Sequence, residues 1–526
     1  MKNFKYITLS LLALGFIACE NEELDELRNR GNDQEPTAAV DFTAGSLDVS
    51  NFVSLGNSLT AGFADGALYK AGQENSTPAI MAQQFAALAN GGSFTQPLMN
   101  DNVGGLLAGG NQLPGFGPRL VFDGSGPAPL QALVPSAAPT TDIVLNNPSG
   151  PFNNLGVPGA KSFHLLAPGY GNLSGVFAMP ATANPYYVRM TNNNQSNNPN
   201  ASIVEETIAQ QPSFMSLWIG NNDVLGYALS GGDGSNPITP MAGPPGVGFE
   251  QTYQAIVASI AGNVPGVQGI LGNIPNVTAI PHFTTVPHNP VPLDAATAGA
   301  VNQAYSAYNN GIVQAFAFLV ANTPLTQEQA DAEIARRTIS FEAGSSNAVV
   351  IIDEDLTDLT GINPGLTNMR QATAEDLLVL PAASFIGTLA VPGNPLSVNG
   401  VAIPLSDRWV LTPEEQDEIA DATAQYNGVI SAVANANGFA LLDANTLLDQ
   451  LASSGIETSG QVLTSDLVTG GAFSLDGVHP TSRGYALIAN EMLKAIDAAY
   501  GTNFEASGNL VDVSTYNTNY SPGLLQ

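Results

Sequence analysis

Two distant segments of the chain carry residue types that together could form a nucleophilic site. Ser58 follows an apolar run early in the sequence, and Asp476 and His479 lie three residues apart near its end. A serine hydroxyl is a weak nucleophile, so it needs a base within hydrogen-bond reach and a third group that orients the base. We expect His479 to be the base and Asp476 to hold its imidazole. Gly477 and Pro480 favour a bent loop that would bring both side chains to one serine.

Two further segments could stabilise the negative charge that develops on a substrate carbonyl during attack. Asn222 lies just beyond the apolar run 214–219, and Gly156 and Gly159 share a turn. In a measured case, one donor to such an oxyanion is worth about 3 to 4 kcal/mol. The residues alone leave open which of the two glycine amides would donate.

Three segments of the chain resemble, in order, sequence blocks of the SGNH (GDSL) hydrolases. Residues 56–59 read Gly-Asn-Ser-Leu where the family has Gly-Asp-Ser-Leu, residues 220–223 read Gly-Asn-Asn-Asp against Gly-x-Asn-Asp, and residues 476–480 read Asp-Gly-Val-His-Pro against Asp-x-x-His-Pro. The resemblance spans residues 47–499, with large insertions between the blocks. Each block alone is a common turn sequence, but their occurrence together favours a functional site.

The resemblance implies a role for each residue of this site. Ser58 is expected to be the nucleophile and, through its amide, the first oxyanion donor. Asp476 and His479 would complete a catalytic triad. The amide of Gly159 is expected to be the second oxyanion donor and the side chain of Asn222 the third.

Two details of the resemblance concern the second oxyanion donor and the residue before Ser58. The family's Asn-x-x-x-x-Gly spacing favours Gly159 as the donor, but Gly156 in the same turn is the alternative. Asn57 stands where the family has aspartate. This difference changes the local charge and leaves the three triad residues in place, so we expect catalysis to survive it.

The segments that must position these residues alternate between strand-like and helix-like patterns. Compact apolar runs predict strands at 51–55, 214–219, 267–274 and 439–442, and amphipathic or proline-initiated stretches predict helices at 77–89, 250–261, 412–436 and 482–499. This alternation predicts an α/β fold with a mostly parallel central sheet. The expected architecture is a three-layer α/β/α sandwich of the SGNH or flavodoxin-like kind. Long loop insertions at 104–145, 192–200 and 230–248 would elaborate it.

The N-terminus resembles an export signal. Lys2 and Lys5 precede the apolar run 7–18, which is too short to span a bilayer, and Phe-Ile-Ala-Cys at 16–19 is similar to a bacterial lipobox. We therefore predict a signal peptide at 1–18, a lipid on Cys19, a flexible tether at 19–47 and one hydrolase domain at 48–526. The expected location is extracytoplasmic, anchored by lipid at the outer membrane or cell surface. A plain signal peptide with an incidental cysteine is the alternative.

The charge of the chain limits its partners. Fourteen basic against 45 acidic side chains give a net charge of −31, which would repel nucleic acid. We expect no nucleic-acid partner, no metal and no organic cofactor. The sequence leaves the oligomeric state open.

We expect the remaining histidines and the acidic run 353–355 to have no part in catalysis or metal binding. His164 is expected to be structural, and His282 and His288 are more readily structural than ligands, since a metal site needs several converging groups. The acidic run 353–355 lacks the glycine and spacing of a calcium loop, so we expect a solvated turn there.

The sequence therefore predicts a carboxylic ester hydrolase that acts through an acyl-enzyme. A lipophilic acyl ester is the favoured substrate, because the stretch 104–134 is apolar and the chain is expected to be tethered to a membrane. A carbohydrate acetyl esterase is the alternative enzyme. A binding or accessory lipoprotein without turnover is the alternative outside the enzymes.

Overall fold

A computed structural model describes residues 40–394 and 397–526 of the chain. The predicted signal peptide, Cys19 and most of the predicted tether lie outside these residues. At the centre is a five-stranded sheet in which every pairing is parallel. Its strands, in chain order, are β1 (Phe52–Gly56), β2 (Asn154–Gly156), β3 (Phe214–Trp218), β4 (Gln268–Gly272) and β5 (Ala440–Leu442). Their spatial order is β5-β4-β3-β1-β2.

The sheet is buried on both faces, as the continuous apolar runs of its strands predict. All five residues of β1 and all five of β3 are buried. The two polar members of this interior, Ser54 of β1 and Ser216 of β3, hydrogen-bond to each other through their hydroxyls at 2.6 Å. The burial of these serines therefore leaves neither hydroxyl without a partner.

The strand order reverses at β1. The chain passes from β1 to β2 on one side and then returns to β3 on the other side. In open parallel sheets, a crevice forms at the carboxyl ends of the strands where the order reverses. This topology brings the segments after β1, β2 and β3 to one place, and these segments carry Ser58, Gly159 and Asn222.

Helices of very different length connect the strands. They are α1 (Ser58–Ala61), α2 (Lys70–Glu74), α3 (Thr77–Phe85), α4 (Leu130–Leu133), α5 (Leu173–Val176), α6 (Pro185–Val188), α7 (Ile203–Gln210), α8 (Asn221–Leu229), α9 (Phe249–Asn263), α10 (Pro281–Thr284), α11 (Ala295–Asn322), α12 (Gln327–Arg337), α13 (Ala382–Phe385), α14 (Pro413–Asn437), α15 (Ala444–Ser453) and α16 (Ser482–Tyr500). Short 3-10 turns occur at Ser162–Leu166, Val277–Ala279, Asp407–Trp409 and Val513–Thr515. Among the described residues, no helix combines the length and apolarity needed to cross a membrane.

The longer helices flank the sheet in two groups. Helix α16 packs on β4, β5 and α3, whereas α14 packs on β4, β5 and α9, and α7 packs on β1 and α9. The prediction of a mostly parallel sheet covered by helices is confirmed.

Local sequence signals explain the ends of α14. Thr412 caps its first turn in a reciprocal capping box with Glu415, Pro413 occupies the first helical position, and Gly438 ends it with φ +66°. The helix predicted at 412–436 is confirmed.

The chain between β4 and β5 forms an insertion of helices and two-stranded ribbons. Helix α11 alone has 28 residues, and the sequence analysis did not predict it. The ribbons pair Val291–Leu293 with Gly344–Asn347, Val350–Ile352 with Met369–Gln371, and Leu377–Leu378 with Val410–Leu411.

Three further ribbons lie outside this insertion. They pair Leu107–Ala108 with Asn111–Gln112, Leu120–Phe122 with Pro127–Pro129, and Ile456–Thr458 with Gln461–Leu463. The first two fall within the predicted loop insertion 104–145, which therefore contains short regular structure.

Candidate active site

Ser58 begins helix α1 immediately after β1. The side chain of Asn57 caps this helix by accepting a hydrogen bond from the Leu59 amide at 3.0 Å. A Cβ atom at Gly56 would overlap the Trp218 carbonyl oxygen of the neighbouring strand, so only glycine allows the chain to turn here. The sharp turn places the Ser58 hydroxyl at the carboxyl edge of the sheet.

The structure brings Ser58, His479 and Asp476 together in a continuous relay. His479 Nε2 lies 2.9 Å from Ser58 Oγ, and His479 Nδ1 lies 2.8 Å from Asp476 Oδ2. Because an ionised carboxylate only accepts hydrogen bonds, the proton of neutral His479 belongs on Nδ1, and Nε2 accepts the Ser58 hydroxyl. The imidazole packs against the ring of Phe63, with 4.7 Å between ring centres. This arrangement can remove the serine proton during attack.

Asp476 is held as an anion by many donors. Its Oδ1 accepts hydrogen bonds from the amides of Val478 and His479, each at 2.9 Å, and from Ser474 Oγ at 3.1 Å. Its Oδ2 accepts one from the Gly66 amide at 2.9 Å in addition to that from the imidazole. Burial raises the pKa of Asp476, but His479 and these donors outweigh burial and hold the pKa well below its usual range.

The two candidate glycines of the oxyanion site differ in what their amides do. The Gly156 amide belongs to β2 and donates to Asn154 Oδ1 at 3.0 Å. The Gly159 amide lies in the following turn, at φ +82°, and has no acceptor among the residues that the structure describes. The same holds for the Ser58 amide. The geometry therefore favours Gly159 over Gly156 as an available donor.

Asn222 lies at the start of α8 and borders the cavity at Ser58. Its Nδ2 donates one hydrogen bond to the Ala160 carbonyl at 2.9 Å. An amide nitrogen carries two hydrogens, so one remains for a ligand. This bond also joins Asn222 to the turn that contains Gly159.

A second link fixes the same turn. Asp223 is fully buried and accepts hydrogen bonds from the Ser162 amide at 2.8 Å and the Ser162 hydroxyl at 2.7 Å. Burial raises the pKa of Asp223, while these bonds and the nearby Lys161 oppose the increase. The Gly159 turn and the Asn222 helix are thus joined at two points, which restricts their relative movement.

Asn57, which stands where the resembling sequence block has aspartate, has a hydrogen-bond partner of its own. Asn57 Nδ2 donates to Asn221 Oδ1 at 3.0 Å, and both side chains are buried. The Asn221 Nδ2 atom has no hydrogen-bond partner in the described chain. The asparagine therefore contributes a neutral amide pair behind the nucleophile.

Asp65 supports the loop that carries Asp476, and the sequence analysis did not identify it. Its Oδ1 accepts from the Leu475 amide at 3.1 Å, its Oδ2 accepts from the Tyr69 hydroxyl at 2.8 Å, and its own amide donates to Ser474 Oγ at 2.9 Å. Burial raises the pKa of Asp65 to about 6, although the bonds from Leu475 and Tyr69 act in the opposite direction. In the sequence, Asp65-Gly66 is an ordinary turn pair and gives no sign of this long-range role.

An open apolar cavity of about 80 Å³ extends from the Ser58 hydroxyl. Ser58, Asn222 and His479 border its polar end. Its walls are formed by apolar residues of α15, α16, the 3-10 turn after β4 and the loop before α16: Val277, Ile280, Leu447, Leu448, Leu451, Phe473, Val478 and Ile488. The cavity is suited to an apolar group attached to a carbonyl at Ser58.

The apolar stretch 104–134 does not border this cavity. Leu113, Pro114 and Phe116 of that stretch instead border a separate cavity with Tyr170 and Phe177. The lining of the cavity at Ser58 therefore gives no support to the use of this stretch as an argument for a lipophilic substrate. The apolar wall comes from segments near β4 and β5 that the sequence analysis did not connect with the site. The three leucines of α15, at positions 447, 448 and 451, were the sequence feature that could have indicated this wall.

The other histidines lie outside the cavity at Ser58. His164 stacks on Tyr170, with 4.6 Å between ring centres, and its Nδ1 accepts from the Lys161 amide at 2.9 Å. His282 is buried, and its backbone amide donates to the Gly477 carbonyl at 2.9 Å. Burial lowers the pKa of each of these two imidazoles to about 4, so both are neutral at pH 7. His288 lies outside the cavity lining as well.

The acidic run 353–355 is only partly the solvated turn that the sequence indicates. Asp353 is fully buried and forms ion pairs with Arg370 at 2.5 Å and Arg336 at 3.1 Å, so the expectation was wrong for this residue. Glu354 and Asp355 are exposed. The two arginines compensate the charge that burial would otherwise make costly.

Comparisons with protein-family models, curated proteins and solved structures found nothing that matches this chain. The resemblance to SGNH hydrolases therefore depends on the three sequence blocks. The geometry around Ser58 provides the separate, physical argument for a function.

Proposed function

We propose that this chain is an SGNH-type serine hydrolase that cleaves carboxylic esters through an acyl-enzyme at Ser58. The observation that carries the proposal is the relay from Ser58 Oγ to His479 Nε2 at 2.9 Å and from His479 Nδ1 to Asp476 Oδ2 at 2.8 Å. These are the contacts that activate a serine hydroxyl, and they join residues that have no local reason to meet.

In the first half of the reaction, His479 Nε2 takes the Ser58 proton while Oγ attacks the ester carbonyl carbon. The carbonyl π electrons move to oxygen, and the oxyanion accepts hydrogen bonds from the Ser58 amide, the Gly159 amide and the Asn222 side chain. The intermediate then collapses and breaks the bond to the alcohol oxygen. The alcohol leaves with the proton from His479, and the acyl group stays on Ser58.

In the second half, a water molecule replaces the alcohol. His479 takes a proton from the water as its oxygen attacks the acyl carbon, and the same amides stabilise the second oxyanion. Collapse breaks the bond to Ser58 Oγ, which recovers its proton from His479. The carboxylic acid is released, and no group outside this chain is needed for the proton transfers.

We further propose that the acyl group is lipophilic. The apolar walls of the cavity, formed in part by Leu447, Leu448 and Leu451, support this choice. Burial of one methylene is worth about 0.8 kcal/mol, which corresponds to roughly a fourfold gain in kcat/KM for each added carbon until the cavity is filled.

Two further proposals concern the layers of the fold and the location of the protein. We propose that the two helix groups cover opposite faces of the sheet, as in a three-layer α/β/α sandwich. We also propose a lipid anchor on Cys19 at the outer membrane or cell surface. Cys19→Ser should then move the protein from the detergent phase to the aqueous phase of a Triton X-114 partition. Wild-type protein in the aqueous phase would contradict the anchor.

A fluorophosphonate probe tests the nucleophile. We expect covalent labelling of the wild-type protein and of Ser384→Ala, which removes an exposed serine, and no labelling of Ser58→Ala. Circular dichroism of Ser58→Ala checks that the fold is retained. Equal labelling of all three proteins, or of none, would contradict the proposal, and the absence of labelling would favour a binding protein without turnover.

Nitrophenyl esters from acetate to decanoate test the acyl specificity. We expect kcat/KM to increase with chain length in the wild-type protein. Leu447 is half-buried in the wall of the cavity, and Leu447→Trp places a larger side chain there. This variant should reduce turnover of long esters. It should leave acetate turnover within about twofold, because the short acyl group does not reach the wall. A maximum at acetate would instead indicate an acetyl esterase.

A further inference from the structure

Three carboxylates converge far along the chain from the triad residues. Glu354 follows the ribbon strand Val350–Ile352, Asp407 begins the 3-10 turn Asp407–Trp409, and Glu415 lies in the first turn of α14. One oxygen atom from each of the three lies within 4.8 Å of the other two. Parts of the insertion between β4 and β5 therefore meet at this point.

Two carboxylate oxygens of the cluster, one on Glu415 and one on Asp407, are buried without a hydrogen-bond donor among the described residues. Glu415 is 4% exposed, and its Oε2 accepts hydrogen bonds from the Thr412 amide at 2.6 Å and the Thr412 hydroxyl at 2.9 Å. Its Oε1, like Asp407 Oδ1, has no hydrogen-bond partner among the described residues. In the same part of the chain, no lysine, arginine or histidine forms an ion pair with any of the three carboxylates. A buried, unpaired carboxylate oxygen is costly unless something compensates it.

Like charges crowd together in this cluster. Oxygens of Glu354, Asp407 and Glu415 lie within 4.8 Å of one another, and the basic side chains that the structure describes form no ion pair with them. A positive charge between these groups would remove the repulsion.

A glycine of the turn after α8 lies directly against the carboxylate of Glu415. The turn after α8 passes against Glu415, and a Cβ atom at Gly232 would overlap Glu415 Oε1. Gly232 also has φ +77°, which a residue with a side chain rarely adopts. The turn therefore brings backbone, and no side chain, to the unpartnered oxygen.

We propose that Glu354, Asp407 and Glu415 bind a calcium ion. Calcium takes oxygen ligands at 2.3–2.6 Å, so two oxygens on one ion lie at most about 5 Å apart, which agrees with the spacing of the cluster. The donors are all carboxylate oxygens, which favours a hard cation over zinc or copper. Water molecules complete the coordination sphere.

The proposed ion has a structural role. It connects two earlier segments of the insertion, which carry Glu354 and Asp407, to α14. The Gly232 turn places it next to the end of α8, the helix whose first turn holds Asn222. Binding to the folded state alone stabilises a protein in proportion to the logarithm of ligand concentration. The ion should therefore raise thermal stability without taking part in bond cleavage.

The test uses the full-length protein, treated with EDTA and dialysed at pH 8, with calcium chloride as the probe. Isothermal titration should give one calcium ion per chain, and calcium at a 100-fold excess over Kd should raise Tm by roughly 2 to 3 °C for a chain of this size. Glu415→Gln should lose both effects. It keeps an acceptor for Thr412, because glutamine also completes a capping box.

The matched control is Glu328→Gln, which removes an exposed glutamate from the first turn of α12 and should bind calcium as the wild type does. Asp407→Asn provides a second variant in case Glu415→Gln fails to fold, and it should also lose binding. Three results would overturn the proposal: no calcium binding at millimolar concentration, binding that Glu415→Gln and Asp407→Asn leave unchanged, or equal loss in Glu328→Gln. The first of these would indicate that Asp407 and Glu415 share a proton instead.

Discussion

Replacement of Asp65 by asparagine should make the stability of this protein less dependent on pH in the acid range. Folding raises the pKa of Asp65 from 3.8 to about 6, chiefly through burial. Between these two values the folded chain keeps a proton that the unfolded chain has lost. The contribution of Asp65 is therefore fully present below the unfolded pKa and is lost as pH rises through the folded pKa.

The size of the effect follows from the shift. A shift of about two pKa units corresponds to about 3 kcal/mol, and about 2 kcal/mol of this falls between pH 4.5 and 7.5. Asparagine does not titrate, and its oxygen can still accept from the Leu475 amide while its amide group donates to the Tyr69 hydroxyl. The free energy of unfolding of Asp65→Asn, relative to wild type, should thus increase by about 2 kcal/mol from pH 4.5 to pH 7.5.

Urea unfolding followed by tryptophan fluorescence at the two pH values measures this difference. Both values lie above the isoelectric point of about 4.1, which limits precipitation. The titration of Asp407 and Glu415 is common to both proteins and cancels in the comparison. Asp417→Asn, which removes an exposed carboxylate, is the control. A relative stability of Asp65→Asn that changes by less than about 0.5 kcal/mol would refute the argument from burial.

Asp65→Ala separates the charge of this residue from its hydrogen bonds. Alanine leaves the Leu475 amide and the Tyr69 hydroxyl without their acceptor, at a cost of about 1 to 3 kcal/mol for each buried group. This variant should be less stable than Asp65→Asn at both pH values, because neither variant titrates and only asparagine keeps the hydrogen bonds. Equal stability of Asp65→Ala and Asp65→Asn at pH 7.5 would show that the hydrogen bonds contribute little.

Four further predictions concern the candidate catalytic residues and the amide pair of Asn57 and Asn221. Asp476→Asn should reduce kcat by roughly 10³- to 10⁴-fold with little change in KM, because His479 loses the acceptor that fixes its tautomer; a loss below tenfold in ester hydrolysis would contradict this role. Asn222→Ala should reduce kcat by roughly 10²- to 10³-fold and lower Tm by no more than about 2 °C through loss of its bond to Ala160, and an unchanged kcat would remove Asn222 from the oxyanion site. Asn57→Asp should keep activity within about threefold, since Asn221 can turn its carboxamide and donate its unpartnered Nδ2. The double replacement with Asn221→Asp sets two carboxylates against each other and should lower Tm well below that of either single variant, and additive changes in Tm would argue against the pairing.

The sequence predicted the framework of the sheet because each long strand is a compact apolar run. The runs 214–219, 267–274 and 439–442 correspond to β3, β4 and β5, and 51–55 corresponds to β1. Strand β2 has the sequence Asn-Leu-Gly, with one large apolar residue, and therefore lacks the apolar run that indicates the other four strands. The insertion after β4 was not predicted, although the buried residues Val301, Tyr305, Tyr308 and Ile312 of α11 have helical spacing. The small residues between them weaken that pattern.

For the candidate site, the sequence identified residues that lie beside predicted turns. Ser58, Asn222 and His479 each follow a strand or precede a helix, and the structure brings all three to one cavity. The roles of Asp65 and of the apolar wall depend on contacts across hundreds of residues. Asp65, for example, meets Leu475 at a separation of 410 positions. Local patterns carry no information on such contacts.

The distance along the chain between Ser58 and His479 determines when the proposed activity can arise during folding. Its serine and histidine are 421 positions apart, with four strands of the sheet and the whole insertion between them. Until α16 docks, a newly made chain exposes Ser58 without its base, and the hydroxyl is chemically inert. Under the proposed function, covalent labelling of this residue during refolding would therefore report the final docking event.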